Sequence, residues 1–300
     1  MSEGGGHVPV LLEEVAFVLR PRGGGWVVDG TIGMGGHAER LLDQAPATTR
    51  LLGIDADPEA LRRSAERLAR FGSRVVLRHG NFRELPAIAA HAGVTEAASV
   101  LLDLGLSSYQ LEESGRGFSF RAVEPLDMRF DPTRGPTAAD LVNTLPEAEL
   151  ARIIFELGDE SHARRIARRI VERRRQGAFR TAGDLVAAVR GAVPRPAWSP
   201  RLHVATRTFQ ALRMAVNDEA GALSAALSGA SGLLASGGRL GVIAFHSGED
   251  RIVKREFRQL ASRGFAELEP SPRGPARDEI RHNPRARSAK LRVLAREEAA

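Results

Sequence analysis

Three carboxylates close three short apolar runs in the first third of the chain. Asp29 ends Trp26-Val27-Val28-Asp29, Asp55 ends Leu51-Leu52-Gly53-Ile54-Asp55, and Asp103 ends Ser99-Val100-Leu101-Leu102-Asp103. A carboxylate in that position stands where an open parallel sheet holds its ligands, at the C-terminal ends of its strands. Behind Asp29 comes Gly30-Thr31-Ile32-Gly33-Met34-Gly35-Gly36-His37, whose glycines let the backbone turn tightly and approach a ligand. A further run, Val75-Val76-Leu77, leads into His79-Gly80-Asn81-Phe82, which offers a polar group and an aromatic wall. Asp55 is placed to accept hydrogen bonds from both hydroxyls of a ribose, and Phe82 to face an adenine.

The glycine spacing discriminates between cofactors. It is not the G-x-G-x-x-G of dinucleotide enzymes, whose helix N-terminus holds a pyrophosphate, and this disfavours a nicotinamide-dependent dehydrogenase. S-adenosyl-L-methionine carries no phosphate. It presents an ammonium, a carboxylate and a sulfonium, which Asp29, the glycines and free backbone amides suit better. Methyl transfer from a sulfonium is an in-line displacement, and holding both reactants in attack geometry can supply roughly 7–11 kcal/mol in ideal cases. Asp103-Leu104-Gly105-Leu106-Ser107-Ser108 follows the fourth strand, where acceptors beside an amino nitrogen would favour its rehybridisation. Asp103 and Ser107 are therefore candidate catalytic residues, with Asp103 as a pure cofactor ligand the alternative. His246, after a later apolar run, is a third candidate, touching the base or relaying a proton. No cluster has metal-ligand spacing.

The elements that must position these residues alternate strand and helix, with Asp57-Pro58 a helix start between the second and third strands. Continuous apolar strands alternating with helices imply a parallel sheet covered on both faces. From about 106 to 215 the rhythm stops, and the chain reads as Arg-rich helices over 146–157, 161–176, 181–190 and 206–216. It resumes with a helix over 219–235, a strand over 238–244, a helix over 250–262, and strands near 265–268 and 289–294. The expected fold is α/β, a doubly wound, Rossmann-like sheet with an inserted helical domain. The sheet domain takes residues 1–105 and 216–300, and the insertion 106–215. Pro270–Arg287 reads as a Pro/Arg-rich loop, mobile unless RNA orders it.

All but two of the 43 basic residues are arginine, the exceptions being Lys254 and Lys290, and the formal charge is +6. A basic excess suggests a polyanionic partner, because each neutralised phosphate releases counterions. The helix Ser161–Arg175 turns Ile166 and Ile170 inward and fans arginines over its remaining surface. Arg164, Arg168 and Arg169, with Arg207 and Arg213 further on, are candidate phosphate contacts. No uninterrupted apolar run reaches the length of a membrane span, and no export signal opens the chain. Cysteine is absent, which removes disulfides and thiolate sites. A cytoplasmic protein is expected, and a homodimer is compatible with the sequence.

Longer strings then carry a resemblance. These are Asp29 through His37, Asp103-Leu104-Gly105-Leu106-Ser107-Ser108-Tyr109-Gln110, Gly115-Arg116-Gly117-Phe118-Ser119-Phe120, Leu126-Asp127-Met128-Arg129, Ala139-Asp140-Leu141-Val142-Asn143, Arg207-Thr208-Phe209-Gln210-Ala211-Leu212-Arg213, Phe245-His246-Ser247 and Asn283-Pro284-Arg285. From His7-Val8-Pro9 to Arg292 the chain resembles the RsmH (MraW) family of bacterial 16S ribosomal RNA cytosine-N4 methyltransferases. The resemblance implies a class I methyltransferase domain with a helical RNA-recognition insertion, acting on a decoding-site cytosine, with 16S rRNA in the 30S subunit as partner. It assigns cofactor contacts to Gly35, Gly36, His37, Asp55, Phe82, Asp103 and Gln110. Of these, Gln110 is not reachable from spacing alone. Two positions depart from the family pattern, Ala38 where Ser is usual and Gly248 where Leu is usual. Gly248 is expected to loosen the helix that follows it. The alternative to an active enzyme is a non-catalytic RNA-binding or ribosome-assembly factor on the same fold.

Overall fold

The structure is a computed structural model and describes residues 9–298. The chain divides into two compact units, one running through Gly105 and resuming at Ala220, the other Leu106–Glu219. The first opens with helix α1 (Leu12–Leu19) and then alternates β1 (Gly25–Asp29), α2 (Gly36–Gln44), β2 (Thr49–Asp55), α3 (Pro58–Leu68), β3 (Val75–His79), α4 (Leu85–His91) and β4 (Ala97–Asp103). Asp57 caps α3 by accepting from the Glu59 amide at 3.1 Å, with Pro58 in the first turn.

The second unit is helical: α5 (Ser108–Glu112), α6 (Ala138–Thr144), α7 (Glu147–Glu156), α8 (Ala163–Arg174), α9 (Ala182–Ala192) and α10 (Thr206–Asn217). It has its own core, in which Leu150 and Ile154 of α7, Ile166 and Ile170 of α8, Leu185 and Val189 of α9, and Leu212 of α10 are fully buried. Several of the strings that carry the resemblance serve this scaffold. Asn143 accepts from the Phe179 amide and donates to the Phe179 carbonyl, both at 2.9 Å. Asn217 likewise accepts from the Phe130 amide and donates to the Met128 carbonyl, both at 2.8 Å. Arg129 forks onto both oxygens of Asp127 at 2.8 Å. The Leu126–Arg129 string is thus a folded loop pinned from α10.

The first unit then resumes with α11 (Glu219–Leu233), β5 (Leu234–Ala244), α12 (Ser247–Ala261), β6 (Phe265–Glu267), α13 (Arg277–His282) and β7 (Lys290–Arg296). Its seven strands order as β3-β2-β1-β4-β5-β7-β6. β1 to β5 run parallel, while β7 runs antiparallel to β5 and β6. Alternate residues along each strand go to opposite cores, as the two-residue side-chain period requires. Val28, Leu52, Val100, Leu102 and Val242 pack with α4, α11 and α12 on one face. Val27, Leu51, Leu101, Ile243 and Val293 pack with α1, α2 and Leu68 of α3 on the other. Both faces are apolar because both are covered, at about 1.5–3 kcal/mol for each large aliphatic side chain buried. The order reverses between β1 and β4, so their C-terminal ends form the switch point at which such sheets bind ligands. The architecture is a Rossmann-like, doubly wound α/β sheet with an antiparallel last strand pair.

One segment differs from expectation. Pro270–Arg287 is not a plain loop, because it holds α13 and a short 3-10 turn over Pro284–Ser288. Arg273 exchanges backbone hydrogen bonds with Leu291 at 2.8 Å, Ala286 is fully buried, and Glu279 accepts from the Leu11 amide at 2.7 Å. The prolines and arginines hid a helix too short to show a period.

Candidate active site

Asp29, Asp55 and Asp103 stand at the ends of β1, β2 and β4. Thr31 joins two of them. Its amide donates to Asp29 Oδ1 at 3.1 Å, and its hydroxyl accepts from the Asp103 amide at 2.7 Å. Asp55 accepts from the Gly33 amide at 2.8 Å through one oxygen and from the Asp57 amide at 2.9 Å through the other. These bonds lock the carboxylate plane at the end of β2. Phe82 sits half-buried in the turn after β3, 3.4 Å from where a Cβ on Gly30 would lie. The Cβ of Phe82, rather than its ring, is the atom that comes this close to the glycine loop.

The loop reaches α2 through Gly35, at φ 79°, a left-handed conformation that costs a side-chain-bearing residue about 1–2 kcal/mol. Gly35 is the residue before α2 and no side chain caps that helix, so Gly36 and His37 begin it with first-turn amides. His37 is 6% exposed, and neither ring nitrogen has a hydrogen-bond partner. Its Nε2 lies 3.5 Å from Asp103 Oδ2, too long for a good hydrogen bond, while Asp103 Oδ1 is buried and unpartnered. Buried polar atoms in native folds nearly always find partners, so a ring and a carboxylate left bare at the switch point mark a ligand position. Asp29 is pushed up to about 7, chiefly by burial, against the attraction of His37 and the Thr31 amide; Asp103 and Asp55 raise it further. Acceptors, a buried imidazole and an open helix start suit a ligand with an ammonium, a carboxylate and ribose hydroxyls.

The remaining expected site residues are placed as follows. Ser107 is the N-cap of α5, its hydroxyl accepting from the Gln110 amide at 3.1 Å while Gln110 Oε1 accepts from the Ser107 amide at 3.0 Å. His246 caps α12, Nδ1 accepting from Gly248 at 3.2 Å and Glu249 at 3.4 Å, with Nε2 3.1 Å from Glu249 Oε1. The structure therefore gives Ser107 and His246 helix-capping bonds where catalytic ones were expected. Gly248 stands in the first turn of α12, directly under the His246 ring. A Cβ there would come 3.0 Å from His246 Nδ1, so the glycine lets the ring close onto the amides. Ala38 is fully buried in α2.

On α8, Arg164, Arg168 and Arg169 are exposed, with only loose carboxylate neighbours at 3.8 and 3.9 Å for the last two. Arg207 is exposed and donates to the Asp159 carbonyl at 2.9 Å. Arg213 corrects its expected role. It forks onto Glu219 at 2.7 and 2.8 Å with its side chain 12% exposed, which makes it a structural ion pair. Two residues escaped the reading of the sequence. Thr31 bridges Asp29 and Asp103, and Glu249 holds the Phe245 amide at 2.8 Å beside the end of β5. Neither type nor spacing singles out a threonine or a helical glutamate. No group of metal-ligating side chains and no membrane-spanning helix is found among the described residues.

A family model described as the MraW methylase family matches residues 5–297. The ribosomal RNA small subunit methyltransferase H of Geobacter sulfurreducens is 49% identical over 303 residues, 96% of this chain and 97% of that protein. The protein of the same name from Symbiobacterium thermophilum is 47% identical, over 96% of each. The solved structure of TrmN from Thermus thermophilus superposes with a TM-score of 0.47 at 12% identity, over 95% of this chain and 48% of that one, a likeness too distant to inform the site. A match over nearly the whole chain at close to half identity leaves one assignment: the chain belongs to the MraW methylase family.

Proposed function

We propose that this chain transfers a methyl group from S-adenosyl-L-methionine to the exocyclic N4 of a decoding-site cytosine in 16S ribosomal RNA, within the 30S subunit. The carrying observation is the set of three strand-end aspartates around a glycine loop, with His37 and one oxygen of Asp103 buried and unpartnered. When bound, the cofactor supplies an electrophilic methyl on its sulfonium. Asp55 would hold the ribose hydroxyls, Phe82 the adenine face, and the first amides of α2 with Gly35, Gly36 and His37 the carboxylate end. Asp103 supplies negative charge for the ammonium, and Asp29 joins it once the bound cation favours loss of its proton.

Asp103 stands last on β4, and its buried, unpartnered Oδ1 is the acceptor we assign to the amino group being methylated. Accepting from N4 draws its lone pair out of ring conjugation and stabilises the positive charge that develops there. Alignment does the rest, with the Thr31 bridge fixing Asp103 relative to the glycine loop. A cytosine must be unstacked to present N4 in line. The exposed arginines of α8 and Arg207 are assigned to the RNA backbone, and the capping residues Ser107 and His246 to holding their turns.

The test is transfer of labelled methyl from S-adenosyl-L-methionine to undermodified 30S subunits and to naked 16S rRNA. Labelled subunits support the proposal, and labelling of naked RNA alone removes the 30S requirement. Cofactor binding without transfer to either would favour a non-catalytic assembly factor instead.

A further inference from the structure

Phe120 lies in the helical unit on the loop before α6 and is 39% exposed. Its ring stacks on the His203 imidazole, centroids 4.3 Å apart and planes at 27°. Phe209 of α10, buried in the core, meets it edge-on at 5.0 Å and 75°. The ring is thus held by two aromatic neighbours while 39% of its surface stays exposed. His203 is fixed as well: Nε2 lies 3.1 Å from the Arg190 guanidinium and Nδ1 accepts from the Ala205 amide at 3.3 Å. Burial, then the Arg190 charge, holds the imidazole below its ordinary pKa, so it is a neutral ring at pH 7. Beside it Leu202 is 52% exposed, and Arg201 is exposed with no ion pair among the described residues.

An aromatic pair locked in place and open to solvent, next to an exposed aliphatic side chain and a cation, has the chemistry that binds unpaired nucleotides. Bases stack on rigid rings, and arginine takes the adjoining phosphate. The helix α8 offers a different surface. Its sequence carries arginines and no aromatic, which suits phosphates of paired or unpaired RNA alike. We propose that Phe120 and His203 form a stacking platform for an unpaired base of the RNA, with Arg201 on the neighbouring phosphate. This rests on the RNA-substrate reading above and adds to it a preference of the helical unit for single-stranded structure.

The test compares wild-type protein with Phe120→Leu, Phe120→Trp and His203→Ala, binding a single-stranded oligoribonucleotide and a duplex of equal length across a salt series. Phe120→Leu keeps apolar volume against Phe209 and removes the ring. Roughly tenfold weaker binding of the single strand is expected, with duplex affinity within about twofold and an unchanged salt slope. Phe120→Trp should restore the single-strand affinity. If Phe120→Leu lowers the melting temperature, His203→Ala, which leaves the core ring Phe209 untouched, must give the same selective loss. Equal losses on both RNAs, or none on the single strand, overturn the platform. So does a wild-type protein that binds neither RNA, while methyl transfer to 30S subunits, measured in parallel, reports separately on the enzyme reading.

Discussion

Asp103 Oδ2 lies 3.5 Å from His37 Nε2, and the same aspartate is tied through its amide to Thr31, whose own amide binds Asp29. One threonine therefore sets the distance between the two carboxylates that flank a buried imidazole. Asp103 keeps an oxygen free of protein partners because its backbone, and not its side chain, makes the tie. A site built this way can hold a carboxylate in position and still leave it available to a substrate.

That availability predicts a divided effect for Asp103→Asn. The amide is nearly isosteric and keeps the backbone bond to Thr31, but its charge is gone and its nitrogen cannot accept. Single-turnover methyl transfer at saturating cofactor should fall about 100-fold. Calorimetry should show a smaller loss in cofactor affinity. Full turnover with unchanged affinity would remove Asp103 from the chemistry, and a change in affinity alone would leave it a cofactor ligand only.

Asp29 should make stability depend on pH. Its folded pKa is about 7 against an ordinary 3.8, so the unfolded chain releases this proton first. The contribution is fully present below the unfolded value and is lost as pH rises through the folded one. Relative to Asp29→Asn, which carries no titrating group there, the wild-type unfolding free energy should fall between about pH 4 and about pH 7, by something on the order of a few kcal/mol. Denaturant melts of both proteins across that range check it, and parallel curves would contradict it.

The arginines should separate into two kinds. Charge reversal at Arg168 and Arg169, both exposed on α8, should weaken RNA binding and lower its salt slope by about 2 while sparing cofactor binding. Arg213→Ala leaves Glu219 without its bidentate partner in a mostly buried position, and should cost about 2–4 kcal/mol of stability. Binding titrations over salt and melting curves distinguish the two. Loss of cofactor binding in the α8 variant would show that the fold, rather than the RNA contact, had been damaged.

His246 should behave as a cap. His246→Asn keeps an acceptor for the Gly248 and Glu249 amides and should leave turnover within about twofold. His246→Ala should cost about 1 kcal/mol of stability. A drop in turnover of about tenfold or more for His246→Asn at unchanged melting temperature would return this residue to the reaction.

Much of this was legible in the sequence. The strands announced themselves because β1, β2 and β4 are apolar on both faces and end in aspartate, and α8 did because Ile166 and Ile170 repeat at helical spacing. The glycine pattern excluded a pyrophosphate site without reference to any structure. What stayed hidden is local or long-range. α13 is six residues in a Pro/Arg-rich stretch, too short for periodicity, and is held by Glu279 reaching Leu11 across 268 positions. Ser107 and His246 have residue types that catalysis uses, and their helix-capping bonds are not visible from residue type or spacing. Arg213 on α10 looked like the arginines of α8 because sequence gives charge but not the carboxylate six residues away that neutralises it.

Digestion of the labelled RNA to nucleosides, followed by mass spectrometry of the methylated species and its position, tests the central claim most directly. The account predicts N4-methylcytidine at a single decoding-site position, with the signal lost in Asp103→Asn. A methyl group on another atom or base, or spread over many positions, would contradict it.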